Sequence, residues 1–182
     1  MRKAILLASF IVWAMAGTAR ADGTKIDCSD TDLAFKDSAF TVDCTDISRS
    51  SINLEEGVGG SKRKELFAMS HSGGVTFLLA LDTSVLGTRV YMKRAELEEQ
   101  ISKTFTQLSI HDWESANNAS GFETATFTGD FDNGAQLQCR AFRREMNRRY
   151  DGVGRRVLGI TCTTQGDEAA LAALAKLDAP GD

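Results

Sequence analysis

Proline is almost missing from this chain of 182 residues: only Pro180 occurs, close to the end. That excludes proline-rich linkers and recognition tracts, and with no internal repeat or low-complexity stretch there is no seam between domains. Histidine is scarce as well, with His71 and His111 alone. Neither flanks a cysteine pair and no CxxC spacing exists, so the ligand pattern of a zinc site is lacking. GxSxG, HExxH and a glycine-rich phosphate loop are all absent, and nothing in the sequence calls for a cofactor. Adjacent carboxylates such as Glu55 with Glu56, or Glu98 with Glu99, are surface charges rather than an acid/base pair. Basic side chains are outnumbered, 21 against 25 acidic ones. A basic face broad enough for nucleic acid is therefore not expected.

The one long apolar run is N-terminal. Arg2 and Lys3 precede the stretch from Ala4 to Ala16, and Ala19-Arg20-Ala21 supplies small residues for cleavage. This predicts a secretory signal peptide over residues 1–21 and a mature chain beginning at Asp22. The run is too short to span a bilayer, and no cysteine follows closely enough for a lipid anchor. Cleavage removes Arg2, Lys3 and Arg20 but no acid, so 18 basic side chains face 25 acidic ones and the mature charge is −7. About 160 residues suffice for one domain with its own core, here residues 22–182. A bacterial protein exported to the periplasm or secreted is the expectation.

Four cysteines in an exported chain point to two disulfides, and spacing favours Cys28 with Cys44 and Cys139 with Cys162 among the three connectivities. Each closes a local loop, stabilising the fold by on the order of 3 kcal/mol. The second pair sits in the most informative stretch, Gln136 to Thr164. Facing residues of an antiparallel hairpin have a constant sum of numbers, and Cys139 with Cys162 centres the reversal between Tyr150 and Asp151, inside RRYDGVG. Leu137, Cys139 and Ala141 then share an apolar face with Leu158, Ile160 and Cys162. The other face, Gln138, Arg140 and Arg144 against Thr161 and Thr163, suits solvent, with Phe142 and Val157 as exceptions. Upstream, a three-residue Asp132-Asn133-Gly134 loop with Gly134 left-handed sets Phe127 opposite Cys139 and Glu123 opposite Arg143. Residues 122–164 thus read as a three-stranded meander.

Elsewhere, Lys64 to His71 and Val75 to Leu81 read as a hairpin joined at Ser72-Gly73-Gly74. Leu78 and Ala80 make its second arm apolar on both faces, which implies a central or helix-covered strand. Leu97, Ile101, Phe105 and Leu108 recur at helical spacing between Lys93 and Leu108, and Asp167 is placed to cap a second helix running to about Lys176. The Asp-rich segment from Asp22 to Asp46, with a strand over Ala39 to Cys44, residues 47–61, and ESANNASG from Glu114 read as turns and loops. The expected class is α+β: an antiparallel sheet made of an N-terminal hairpin and a C-terminal meander, with two packed helices and two local disulfides. The order of KRAELEEQISKTFTQL, FETATFTG, AQLQCRAF, RVLGITCTT and DEAALAALAKL resembles the PsbP-like family of small accessory domains. The resemblance implies a non-catalytic accessory or assembly role and carries over no functional residue.

Seven arginines, Arg140, Arg143, Arg144, Arg148, Arg149, Arg155 and Arg156, fall within 17 residues, against Glu145 and Asp151. Guanidinium groups bind planar anions bidentately, so Arg140, Arg144, Arg148, Arg149, Arg155 and Arg156 are candidates for contact with an acidic protein or anionic envelope component. The bland alternative is a solvated hairpin, or one that docks on the acidic segment of its own chain. The expected function is non-enzymatic binding. A small hydrolase using His71 or His111 and a purely structural domain are the rival classes.

Overall fold

In the computed structural model, described over residues 23–47, 49–54, 57–86, 92–131, 134–149 and 152–181, one antiparallel sheet dominates the chain. Residues 1–21, where a signal peptide is expected, lie outside the described residues. At the centre is the expected hairpin, β9 (Gln136–Arg149) with β10 (Gly152–Thr163). Cys139 pairs with Cys162, Ala141 with Ile160 and Arg143 with Leu158; Phe127 stands opposite Cys139 and Glu123 opposite Arg143. Gly134 is left-handed at φ 78°, as the tight reversal requires. Both disulfides form in the expected pairing, and the Cα atoms of Cys139 and Cys162 lie 4.1 Å apart.

The sheet extends well beyond that meander. Strand β6 (Thr76–Leu86) runs antiparallel to the outer edge of β10, with Leu79 opposite Ile160. The N-terminal hairpin, β5 (Gly57–Ser70) with β6, and the C-terminal meander are thereby fused. Strands β3 (Thr41–Asp46) and β4 (Arg49–Leu54) lie end to end along the far edge of β5, and β1 (Thr24–Ile26) pairs with β3. At the opposite edge, β7 (Leu108–Ala119) pairs with β8 (Phe122–Phe131). The strand order is β1-β3-β5-β6-β10-β9-β8-β7. The expected α+β domain of two small strand groups is therefore corrected to a mostly β fold. Two polar stretches read as loops, residues 47–61 and the ESANNASG segment, supply strands, because edge and hairpin arms satisfy their backbone by pairing whatever their side chains. Residues 87–91, between β6 and Met92, lie outside the described residues.

One helix covers each face. On the first, α1 (Leu97–Thr104) contributes Leu97 and Ile101 to a core with Phe77, Leu79, Phe127, Cys139, Ile160 and Cys162. On the second, α2 (Asp167–Leu174) sets Ala170, Ala173 and Leu174 against Leu66, Leu78, Phe122, Phe142 and Val157. Leu33 joins them, and β11 (Leu177–Asp178) pairs with β2 (Ala34–Phe35), tying the two ends of the chain together. Most of the hairpin face expected to meet solvent is thus buried: Thr161 and Thr163 are fully covered, and Gln138 at its end is exposed as expected. Phe142 and Val157, the two apolar exceptions there, were its signal. Gly166, at φ 94°, occupies the N-cap of α2, and Asp167 is its first helical residue rather than its cap.

Close packing at the sheet centre depends on Gly159. A Cβ there would lie 2.2 Å from the Leu79 carbonyl oxygen and 2.3 Å from Cζ of Phe142. Gly159→Ala is expected to destabilise the protein by about 1–3 kcal/mol, read as a lower urea midpoint with an unchanged slope.

Candidate anion-binding surface

Alternation along β9 and β10 divides the arginines between the two faces. Arg140, Arg144 and Arg155 point to the α2 side and meet separate partners. Arg140 donates to both oxygens of Asp167, at 3.1 and 2.5 Å, and to Thr124 Oγ1 at 3.0 Å. Arg144 donates to the carbonyls of Ser120, Gly121, Ala179 and Pro180, with its guanidinium 4.2 Å from the Phe122 ring centre. Arg155 makes a forked pair with Asp82 and a 2.6 Å bond to Asp32. The hydrogen bond to Asp82, reinforced by Asp32, holds its guanidinium protonated well above the ordinary range.

On the α1 side, Glu145 is buried, its side chain 6% exposed, and stands opposite Arg156. Arg156 donates to its Oε1 at 2.9 Å and to the Lys93 carbonyl at 3.0 Å. Burial pulls Arg156 below its ordinary pKa, against the opposing effect of Glu145. Arg143 reaches the same carboxylate at 3.7 Å while bonding Glu123 and the Ala95 carbonyl, each at 2.5 Å. Four arginines are thereby held by acidic side chains of the chain itself and Arg144 by backbone carbonyls. Docking on the acidic N-terminal segment, weighed from sequence, is realised at the Arg155 to Asp32 contact.

Arg148 differs. Its side chain is 61% exposed, and among the described residues the carboxylate within 4.0 Å of it is the already engaged Glu145. Asn147, just before it, has φ 54°, a left-handed conformation that turns the end of β9. Past the end of β6, Met92 exchanges two backbone hydrogen bonds with Val153, at 2.9 and 3.0 Å, near the hairpin end, and the next residues run back along the hairpin, the Lys93 carbonyl meeting Arg156 and the Ala95 carbonyl Arg143. Of these residues, Lys93 and Arg94 are exposed. Sequence reasoning missed them; their adjacency as a basic pair just before the helix was the available signal. The side chain of Arg149, and all of Tyr150 and Asp151, lie outside the described residues. The hairpin arginines therefore do not form one surface. Among the described residues, Arg148 near the end of β9 and Lys93 and Arg94 just past the Met92–Val153 bridge are exposed.

The histidines stand elsewhere. His71 is exposed in the β5–β6 turn, and His111 Nε2 lies 3.1 Å from Asp130 Oδ2 with both side chains about half exposed. Among the described residues no group of three His, Cys, Asp or Glu could hold a metal ion, and no helix is long and apolar enough to cross a membrane. No protein-family model matches the chain, and neither a curated protein nor a solved structure does.

The two classes of arginine separate in a stability measurement. Glu145→Ala leaves buried guanidinium charge uncompensated and is expected to cost about 3 kcal/mol in chemical denaturation. Arg148→Ala, at an exposed position, is expected to stay within about 0.5 kcal/mol of the parent.

Proposed function

We propose that this chain is an exported, soluble, non-enzymatic binding or accessory protein that meets an anionic envelope partner with the tip of its β9–β10 hairpin. The observation that carries this reading is the exposure of basic side chains at and near the hairpin end, in contrast to the acid-held arginines of its middle. Arg148, Lys93 and Arg94 are exposed, and the carboxylate that lies within 4.0 Å of Arg148 among the described residues is already hydrogen-bonded by Arg156. An incoming carboxylate, phosphate or sulfate finds exposed guanidinium and ammonium donors there. Such a tip on a chain of net charge −7 after cleavage also orients encounter, since the rest of the molecule repels the same partner. Two disulfides suit an oxidising compartment, as the N-terminal export pattern requires. The PsbP-like element order is in keeping with an accessory role.

Heparin serves as a polyanionic probe. The protein without residues 1–21 is expected to be retained on heparin-agarose at low ionic strength and released as salt screens the contact. Lys93→Glu, Arg94→Glu and Arg148→Glu together are expected to abolish retention while leaving thermal unfolding unchanged. Flow-through of the parent protein, or equal retention of the triple variant, would rule the tip out.

A further inference from the structure

On the α2 side of the middle of β9, a cavity of about 640 Å³ opens between β7 and α2, lined by Ser115, Asn117, Asn118, Arg140 and Leu171 with Ala116 and Ala119. Its volume falls in the range of small-molecule sites. A bulge makes its wall: Ala116 pairs with Thr124 and Ala119 with Phe122, so Asn117 and Asn118 stand against the single residue Glu123. Such bulges re-aim side chains that a regular strand would direct elsewhere.

The wall and floor are joined by one hydrogen-bond chain. Asp167, at the start of α2, accepts from Arg140; Arg140 donates to Thr124 Oγ1; and the Thr124 hydroxyl donates to the Asn117 carbonyl at 2.8 Å. The Arg140 side chain is only 8% exposed, so this arrangement is fixed before anything binds. Three of the five N–H groups of the guanidinium are used in these bonds, and two remain. Its charge is matched by Asp167, and every other lining residue is uncharged. A charged ligand would lose hydration here without gaining a counter-charge. The lining instead offers two amides, a hydroxyl and spare guanidinium N–H groups beside an aliphatic rim. Leu171, on that rim, is 37% exposed, the large hydrophobic side chain left most open among the described residues.

We propose that this cavity binds a neutral saccharide unit, its hydroxyls or acetamido group bonded by Asn117, Asn118 and Arg140 and its C–H face set against Leu171. Sugars combine mixed donors and acceptors with an apolar face and no charge, as the lining does. An extended peptide added to β7 fits less well, because register shifts at residues 111–114 and 116–119 interrupt the ladder such a strand would need.

Maltotriose and N,N′-diacetylchitobiose are suitable probes, titrated into isotope-labelled protein and followed by amide chemical shifts. At least one is expected to shift the backbone signals of residues 115–119 and the side-chain amides of Asn117 and Asn118 saturably at millimolar concentration. Asn117→Ala with Asn118→Ala, and separately Leu171→Arg, are expected to weaken that binding by about tenfold or more. These positions are exposed, so an unchanged spectrum elsewhere verifies folding, and the tip substitution Arg148→Glu is expected to leave the saccharide titration intact. No shift with either sugar, shifts that persist in both variants, or perturbation of these residues only by an uncharged peptide would overturn the assignment.

Discussion

A guanidinium drawn into a protein interior has to find carboxylates or carbonyls there, because an unmatched buried charge would cost several kcal/mol. The centre of this sheet carries several such groups, and each is matched by a segment distant in sequence. Arg155 takes Asp32 and Asp82; Arg140 takes Asp167; Arg143 takes Glu123 and the Ala95 carbonyl; Arg156 takes the Lys93 carbonyl; Arg144 takes Ser120, Gly121, Ala179 and Pro180. The N-terminal segment, the approach to α1, the β7–β8 turn, α2 and the C-terminus are all fastened to one hairpin. Loss of a partner would cost more than the bond itself, since the arginine would remain buried.

That role requires the hairpin to hold its register, and the Cys139–Cys162 bridge does this from the opposite face of the sheet for Arg140. A slip of one residue would send Arg140 and Arg144 among Phe77, Phe127 and Ile160, and bring Cys139 out of reach of its partner. Covalent and ionic constraints thus select the same alignment. The Phe142 and Phe122 rings, edge to face at 5.2 Å, and the closely packed Gly159 add a steric constraint of the same sense.

The sequence made this alignment legible, because a fixed sum of residue numbers links Cys139 to Cys162 and, by the same arithmetic, Glu145 to Arg156. The division of the arginines between two faces follows from alternation alone. What could not be read was where the other acids lie: Asp32, Asp82 and Asp167 come from three separate elements, and only tertiary docking brings them to the hairpin. Strand β7 was hidden for a different reason. Its side chains are mostly exposed, so the hydrophobic alternation that marks a half-buried strand is missing, and pairing is carried by backbone groups that leave no compositional trace. The join of β6 to β10 left more of a trace in retrospect, since Leu78 and Ala80 opposed a hairpin face that carried its own unexplained Phe142 and Val157.

Residue type alone therefore does not decide what an arginine on this hairpin can recognise. Arg140 and Arg148 lie on the same strand, eight positions and so about 26 Å apart. The first is matched by a carboxylate that α2 delivers, which cancels its field and leaves directional N–H donors in an uncharged cavity. The second, one residue from the end of β9, is 61% exposed beside an acid already bonded by Arg156. A compensated guanidinium selects for hydrogen-bonding shape and an uncompensated one for negative charge. The same rigid ribbon can thus present two chemically distinct surfaces, and a ligand suited to either is poorly suited to the other.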